Sequence, residues 1–330
     1  MHNWVSLIYN ELLKMIKKKR VRVILLIVVA LIPIFTYAQY RTVQTTIEQL
    51  GTSDWRTVLQ QQIIDSQNRL SSSRLPDEWR ESLKLNIQQQ QYYLDHDINP
   101  AAPGAPTFAR EFVEESVSLF LPLLVVVVAS DIVSSEHAGG TIKLLLTRPV
   151  RRWRILLSKY LALILLVSFI VTATAVLAIL ISGVIFGYSG WNMPVLTGFS
   201  QQNGELVTDH VHLIPQWKYL LMGYGLAWFA CAAVATLSFM VSVLVRSTAA
   251  SMGVMLAALI SGNLLTQLAP TWTALKYLAF TNLRLTDYLS GSSTMIEGMT
   301  LPFSLAVLTV WSLAALAVAF TVFTRNDVLA

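Results

Sequence analysis

Ionisable and amide side chains are scarce in the apolar stretches of this chain, so the few found there are the first candidates for chemistry. Glu114 and Glu115 open one apolar run. Paired carboxylates at that place could bind a cation or gate a polar path, since an ionisable group in a span needs a partner or water. The structural alternative is two carboxylates within a turn of the interface that simply reach water. Asp131 lies near the far end of the same run, where an ion pair with a basic residue of the following loop is expected. Asn263 and Gln267 share one helical face of another run and could line a path or hydrogen-bond a neighbouring helix. The hydroxyls of Thr172 and Thr174 can bond their own helix backbone. Asp209-His210-Val211-His212 has a fragment of metal-ligand spacing, but without further ligands in view it reads as a solvated loop. The single cysteine, Cys231, has no partner for a disulfide or a metal site and reads as a small buried hydrophobe.

Several chemistries lack their residues. There is no Gly-x-x-x-x-Gly-Lys-[Ser/Thr] phosphate loop, so ATP hydrolysis by that route is not expected of this chain. His-Glu-x-x-His, Gly-x-Ser-x-Gly and a pair of mid-span aspartates are also missing, which argues against an intramembrane protease or hydrolase. Of the 330 residues 54% are hydrophobic and 13% charged, where soluble domains average about 25% charged. The mean hydropathy is +0.56. The net charge of +5 comes from basic residues beside apolar runs, which is how a membrane protein sets its orientation rather than a sign of nucleic acid.

The elements that must position these residues follow from apolar runs of about 18 residues or more. The fold class expected is an all-α integral membrane protein with six transmembrane helices. Residues 1–20 form an interfacial amphipathic elbow helix, with Trp4, Leu7, Ile8, Leu12, Met15 and Ile16 at helical spacing. Residues 21–40 hold span one, helical over 21–38, with Pro33 a candidate kink. Residues 41–111 form an extracellular helical hairpin, closed by a Pro- and Ala-rich linker at 99–106. Residues 112–330 form the transmembrane domain, with spans at 112–133, 155–187, 219–245, 249–268 and 301–323. A polar loop at 134–154 separates spans two and three, and an external loop at 188–216 separates spans three and four. Trp191, Trp217 and Trp272 read as interface anchors.

The orientation follows from the basic residues. With the N-terminus inside, the inner segments (the N-terminal arm through Arg22, Ser134 to Lys159, the Arg246 turn and the tail) hold 6, 6, 1 and 1 Lys plus Arg, while the 41–112 segment holds 7 against 9 Asp plus Glu. Both termini are therefore expected in the cytoplasm of a bacterial cell, across a multi-pass membrane chain.

The loop Ser135-Glu136-His137-Ala138-Gly139-Gly140-Thr141-Ile142-Lys143-Leu144-Leu145-Leu146-Thr147-Arg148-Pro149 carries the most specific pattern. Gly139-Gly140 should break span two, Thr141 can cap a short helix through Leu146, and Pro149 ends it. A rigid cytosolic element between two long spans is what a separate motor would need to push on. This loop resembles that of the ABC-2 class of ABC transporter permeases, through Glu136, Gly140-Thr141, Leu145-Leu146, Pro149-Val150 and Arg152, followed by a span beginning near Lys159. The elbow helix agrees, as does Phe280-Thr281-Asn282-Leu283 ending in Asp287-Tyr288-Leu289, which is similar to an external motif of some bacterial members.

The resemblance implies a non-catalytic permease subunit of an exporter. Two ATPase subunits would bind ATP and magnesium, a second permease chain (a copy or a relative) would complete the path, and this chain would hold no cofactor. Glu136, Gly140, Thr141, Leu145, Leu146, Pro149 and Arg152 would couple to the ATPase. Glu114, Glu115, Asn263 and Gln267 would flank the translocation path. Substrates of such systems include peptides, antibiotics and lipid-like molecules. The long 41–111 segment departs from simple members, which have a short loop there, and favours a peptide or amphipathic ligand met from outside. Two other readings stand beside this one: a membrane sensor or assembly protein with an extracellular ligand-binding hairpin, and an intramembrane enzyme.

Overall fold

The structure, a computed structural model, describes residues 4–71, 77–100, 102–140, 150–202, 205–269, 271–292, 296 and 298–325. Helix α1 (Trp4–Lys17) stops at Lys18, whose extended backbone starts α2 (Lys19–Leu50). Like charges three and four apart disfavour one continuous helix through the Lys17–Arg20 run. Helix α2 runs on past Ala38, the expected end of span one, and closes on Gly51. That residue takes φ +66° while its N–H bonds the Ile47 carbonyl, the left-handed helix end that glycine favours. At 1.5 Å per residue α2 is about 48 Å long, well beyond the roughly 30 Å of a hydrocarbon core, so it continues past the ring contacts of Phe35 with Phe112 and Tyr40 with Phe186. After it α3 (Trp55–Leu70) and α4 (Asp77–Asp95) pack together, burying Leu59, Ile63 and Leu85.

The expected continuous helix over 112–133 is broken in two places. Helix α5 (Ala105–Ser116) ends before α6 (Phe120–Ala129), and turns at 130–133 precede α7 (Ser134–Ala138). Pro122 explains the first break: in a continuous helix its ring would collide with the carbonyl four residues back. The second break is stabilised across the bundle. The Ser242 hydroxyl accepts the backbone N–H groups of Val133 and Ser134, each at 3.0 Å, so the turn's donors stay paired away from water.

Helix α8 (Arg152–Phe186) crosses next. Residues 188–216, expected as an irregular loop, contain four short strands. β1 (Pro194–Thr197) pairs antiparallel with β4 (His212–Pro215), and β2 (Ser200–Gln202) with β3 (Glu205–Val207). Gly198 turns the chain between β1 and β2 at φ +92°; a Cβ there would meet the His210 carbonyl oxygen at 2.2 Å. Helix α9 (Gln216–Leu244) leads through a turn to α10 (Thr248–Leu268), whose Ser247 cap accepts the Ala250 N–H at 3.4 Å. Two 3₁₀ turns (Thr273–Tyr277, Phe280–Asn282) and α11 (Asp287–Ser290) precede α12 (Leu301–Arg325).

Six segments among the described residues are long and apolar enough to cross a bilayer: Lys19–Leu50, Phe120–Ala138, Arg152–Phe186, Gln216–Leu244, Thr248–Leu268 and Leu301–Arg325. They form an all-α, six-span bundle. Helix α9 is its centre and touches α5, α6, α8, α10 and α12. Its buried Gly223, Ala227, Ala230, Cys231, Ala233 and Ala235 let neighbouring backbones approach closely, as small residues do between spans. The outward faces carry large apolar side chains, among them Leu26, Phe169, Val184, Leu221, Val254 and Val310. A surface of that kind is stable against lipid, not water.

At one end of the bundle lie α1, α7 and the starts of α2, α8 and α10. At the other lie α3, α4, the strands, the two 3₁₀ turns and α11. The α4 end is tied together by a small cluster of Ile98, Leu196 and Phe199 with Tyr92, Tyr93, Leu206 and Val211. The Gln88 side-chain carbonyl accepts the Leu206 N–H at 3.0 Å, and the Gln89 amide donates to the Ser290 carbonyl at 2.6 Å.

Candidate functional site

Two polar clusters occupy opposite ends of the bundle. At the α1 end, Lys159 sits two turns into α8 with its side chain 1% exposed. Its ammonium donates to Glu11 Oε2 on α1 and to Glu136 Oε1 on α7, both at 2.7 Å. Lys14 donates to Glu11 Oε1 at 3.0 Å and stands 3.6 Å from Glu136. Two cations and two carboxylates thus balance each other where three helices meet. Burial would raise the Glu11 carboxyl, but the attraction of Lys159, and then of Lys14, overrides it and holds the group below its ordinary value. Beside this network Asp131 accepts from Lys18 at 2.7 Å and stands 3.3 Å from Arg20. Among the described residues its partners come from the N-terminal arm; the loop cations Lys143 and Arg148 lie outside the described residues. The α6–α7 turn brings Asp131 against the start of α2.

Glu136 is in α7, and the helix ends at Gly139-Gly140, where Gly140 takes φ +66°. Arg152 opens α8. Thr141, Leu145, Leu146 and Pro149 lie outside the described residues, as does the short helix expected over 141–146. Glu11 and Lys159 are the partners that sequence reasoning missed. Lys159 had a usable signal: an ionisable side chain at the start of a long apolar helix calls for a partner. Glu11 had none, because one acid on an amphipathic helix reads as a solvated residue.

At the α4 end, Glu114 of α5 accepts from the Tyr219 hydroxyl at 2.5 Å, Gln39 of α2 bonds Glu111, and Arg110 donates to the Pro100 carbonyl at 2.6 Å. Glu115 is exposed. Asp287, at the start of α11, faces Arg284 at 3.7 Å. Burial pushes its carboxyl up to about 7; Arg284 opposes this, and Glu114 and Glu115 add to it. The direct partner of Glu114 is thus the Tyr219 hydroxyl, while its charge and that of Glu115 act on Asp287 through space. Asn263 and Gln267 bond each other at 3.1 Å on an outward-facing part of α10. Asp209, His210 and His212 lie in the turn before β4 and in β4 itself, and the described residues contain no group of three or more His, Cys, Asp or Glu placed to hold a metal.

The Asp287 environment has a measurable consequence. Between about pH 4 and pH 7 the folded chain holds a proton that the unfolded chain has released, so stability falls as pH rises across that window and levels off above it. Glu11 acts in the opposite sense, with a contribution lost as pH falls below its ordinary 4.5. Thermal unfolding in detergent from pH 4 to 8 should show the downward slope in the wild type and a flatter profile in Asp287→Asn. Equal slopes in the two would rule Asp287 out as its source.

Comparison with known proteins agrees with this architecture. Residues 84–329 match a family described as "Protein of unknown function (DUF2705)". The chain is 29% identical over 280 residues to the uncharacterized protein YhcI of Bacillus subtilis, covering 84% of this chain and 85% of that one. It is 27% identical over 217 residues to the uncharacterized membrane protein YdbK of the same organism, covering 64% and 80%. A shorter stretch of 83 residues is 41% identical to the probable ABC transporter permease protein NosY of Stutzerimonas stutzeri, covering 23% of this chain and 30% of that one. With six spans around α9 and relatives among bacterial membrane proteins, this multi-pass bacterial membrane protein belongs to the DUF2705 family.

Proposed function

We propose that the chain is the permease subunit of an ATP-driven exporter of the ABC-2 class, non-catalytic itself and driven by separate ATPase subunits. The observation that carries this reading is the Glu11–Lys159–Glu136 network. A push on the loop after α7 has to reach the spans through a stiff joint. Glu136, at the root of that loop, is fastened by a buried lysine to α8 and α1 at once. Force on the loop is then shared by three helices, and a change at the motor biases the bundle between two arrangements. The partial likeness to NosY supports the same class.

In this reading both termini and the α1 end face the cytoplasm, α1 is the interfacial elbow helix, and α3 with α4 forms the extracellular hairpin. Two ATPase subunits bind ATP and magnesium. A second permease chain covers α10, where Ser261 and Gln267 are exposed on a span. Amides and hydroxyls turned toward lipid are costly unless a partner helix meets them. The exported molecule is a peptide, antibiotic or lipid-like compound, met or released beside the hairpin.

An affinity purification from native membranes in mild detergent tests this. A nucleotide-binding subunit with ATPase activity should be recovered with the chain and lost when Gly140 and Thr141 are replaced together. Recovery of the chain without any ATPase would sink the transporter reading and favour a sensor that uses α3 and α4 to bind its ligand.

A further inference from the structure

The cavity where α1, α2, α7 and α8 meet has a volume of about 870 Å³. Its wall carries six cations, Lys14, Lys17, Lys18, Lys19, Arg20 and Lys159, against three carboxylates, Glu11, Asp131 and Glu136, a surplus of three positive charges. The carboxylates are engaged by Lys14, Lys159, Lys18 and Arg20. Lys17 and Lys19 have no carboxylate within ion-pair distance among the described residues.

The start of α2 adds to this field. Its first turn contains no acid, and Lys18 gives it no side-chain cap, so cations stand where the helix dipole favours an anion and backbone N–H groups lack helical partners. Such a helix start, beside a surplus of cations in a cavity, suits a phosphate. The rest of the wall includes Met15, Val21, Val128 and Ile132, which suits the apolar part of an amphiphile. Next to the cavity, α1 turns Val5, Tyr9 and Ile16 outward, 74%, 58% and 44% exposed. An apolar outer face on a helix that ends in a basic run lies at the boundary of headgroups and acyl chains.

We propose that this cavity binds the phosphate headgroup of an anionic phospholipid, drawn from the leaflet at the α1 end of the bundle. Lys17, Lys19 and the open start of α2 hold the phosphate, and Met15, Val21, Val128 and Ile132 contact the glycerol and first acyl carbons. Bound there, the lipid fastens α1 to α2 beside the Lys159 network. The site does not depend on the existence of an ATPase partner.

The test uses the full chain, purified in a neutral detergent and titrated with phosphatidylglycerol, phosphatidylcholine or inorganic phosphate. Retention is read by native mass spectrometry and stabilisation by thermal unfolding. Phosphatidylglycerol should be retained and should raise the unfolding temperature more than either alternative. Each basic side chain near a membrane surface contributes about 1 kcal/mol toward an anionic lipid, so the Lys17→Gln/Lys19→Gln double variant should bind it about thirtyfold more weakly. Should that variant not fold, Lys19→Gln by itself should weaken binding about fivefold. A control, Lys84→Gln/Lys218→Gln, removes two exposed lysines at the α4 end and should bind as the wild type does. Equal retention of phosphatidylcholine would overturn the proposal, as would wild-type affinity in the Lys17/Lys19 variants. A stabilisation reproduced by inorganic phosphate would overturn the lipid assignment and make this a soluble-anion site.

Discussion

Replacing Lys159 with methionine is expected to destabilise the folded chain by about 3–5 kcal/mol, the usual effect of removing one partner from a buried ion pair. The Lys159 side chain is 1% exposed, and its partners Glu11 and Glu136 are 11% and 15% exposed. Without the ammonium, two carboxylates lose the buried cation they share, and the Lys14 that remains beside them is half-exposed. The expected response is protonation of one carboxylate or separation of α1 from α7. Replacing all three, with Glu11→Gln, Lys159→Met and Glu136→Gln together, should recover most of the loss, because no buried charge is left unpaired and the remaining Lys14 is half-exposed to solvent. Chemical or thermal unfolding of the three single variants and the triple variant measures this. If Lys159→Met were as stable as the wild type, the network would not join these helices. Under the permease reading the triple variant separates two roles: it should fold, yet lose ATPase stimulation, since the joint that carries force is gone.

Asn282→Leu is the second large effect, about 3 kcal/mol. The Asn282 amide donates to the carbonyls of Lys276 and Leu278 at 2.8 and 2.7 Å, and its oxygen accepts from the Ser304 hydroxyl at 2.7 Å. The residue is 2% exposed. Leucine is similar in size but removes these three hydrogen bonds, and each broken hydrogen bond of this kind costs about 1 kcal/mol. Next to it Thr281 donates to the carbonyls of Leu275 and Leu278 at 2.6 and 2.9 Å. The Thr281-Asn282 pair therefore knots the 3₁₀ turns and pins them to α12. Hydrogen exchange should show faster opening across 273–290 in the variant, with α6 and α9 unchanged. Uniform protection in variant and wild type would remove Asn282 from this role. A motif that reads in the sequence as external is, in the structure, a backbone fastener.

Much of the topology was legible. Long apolar runs flanked by cations mark spans whatever they pack against, and the six expected ones match the six segments of the bundle to within a few residues at most ends. Span one was misjudged at its far end. Helix α2 runs to Leu50 because Gln, Thr and Glu after Ala38 do not break a helix, while hydropathy registers only the change of solvent. Span two was read as one helix because Pro122 is a single residue in an apolar run; Pro33 is another, yet α2 continues through it while Pro122 falls in the first turn of a new helix. The strands at 194–215 are three or four residues each, too short for alternation to stand out from a polar loop.

The candidate site was less legible. Glu136 and the glycines after it could be singled out from their spacing, but not what they touch. Asp131 was expected to form an ion pair, and it forms one with Lys18 and Arg20, partners far back along the chain that no local pattern marks. Glu114 and the amides of α10 were grouped as one path because each is polar within an apolar run. What could not be read were their partners: Glu114 meets the Tyr219 hydroxyl, and Asn263 and Gln267 meet each other.

The sequence by itself determined the solvent this protein lives in, the number of its spans and the helix ends marked by glycine and proline, because hydrophobic transfer and backbone sterics act on short stretches. Tertiary structure decided which charges meet. Lys159 finds Glu11 across 148 positions of chain, and Asn282 finds Ser304 across 22, through helix crossings. Those crossings bring together side chains far apart in the chain, and no local periodicity encodes which helices cross.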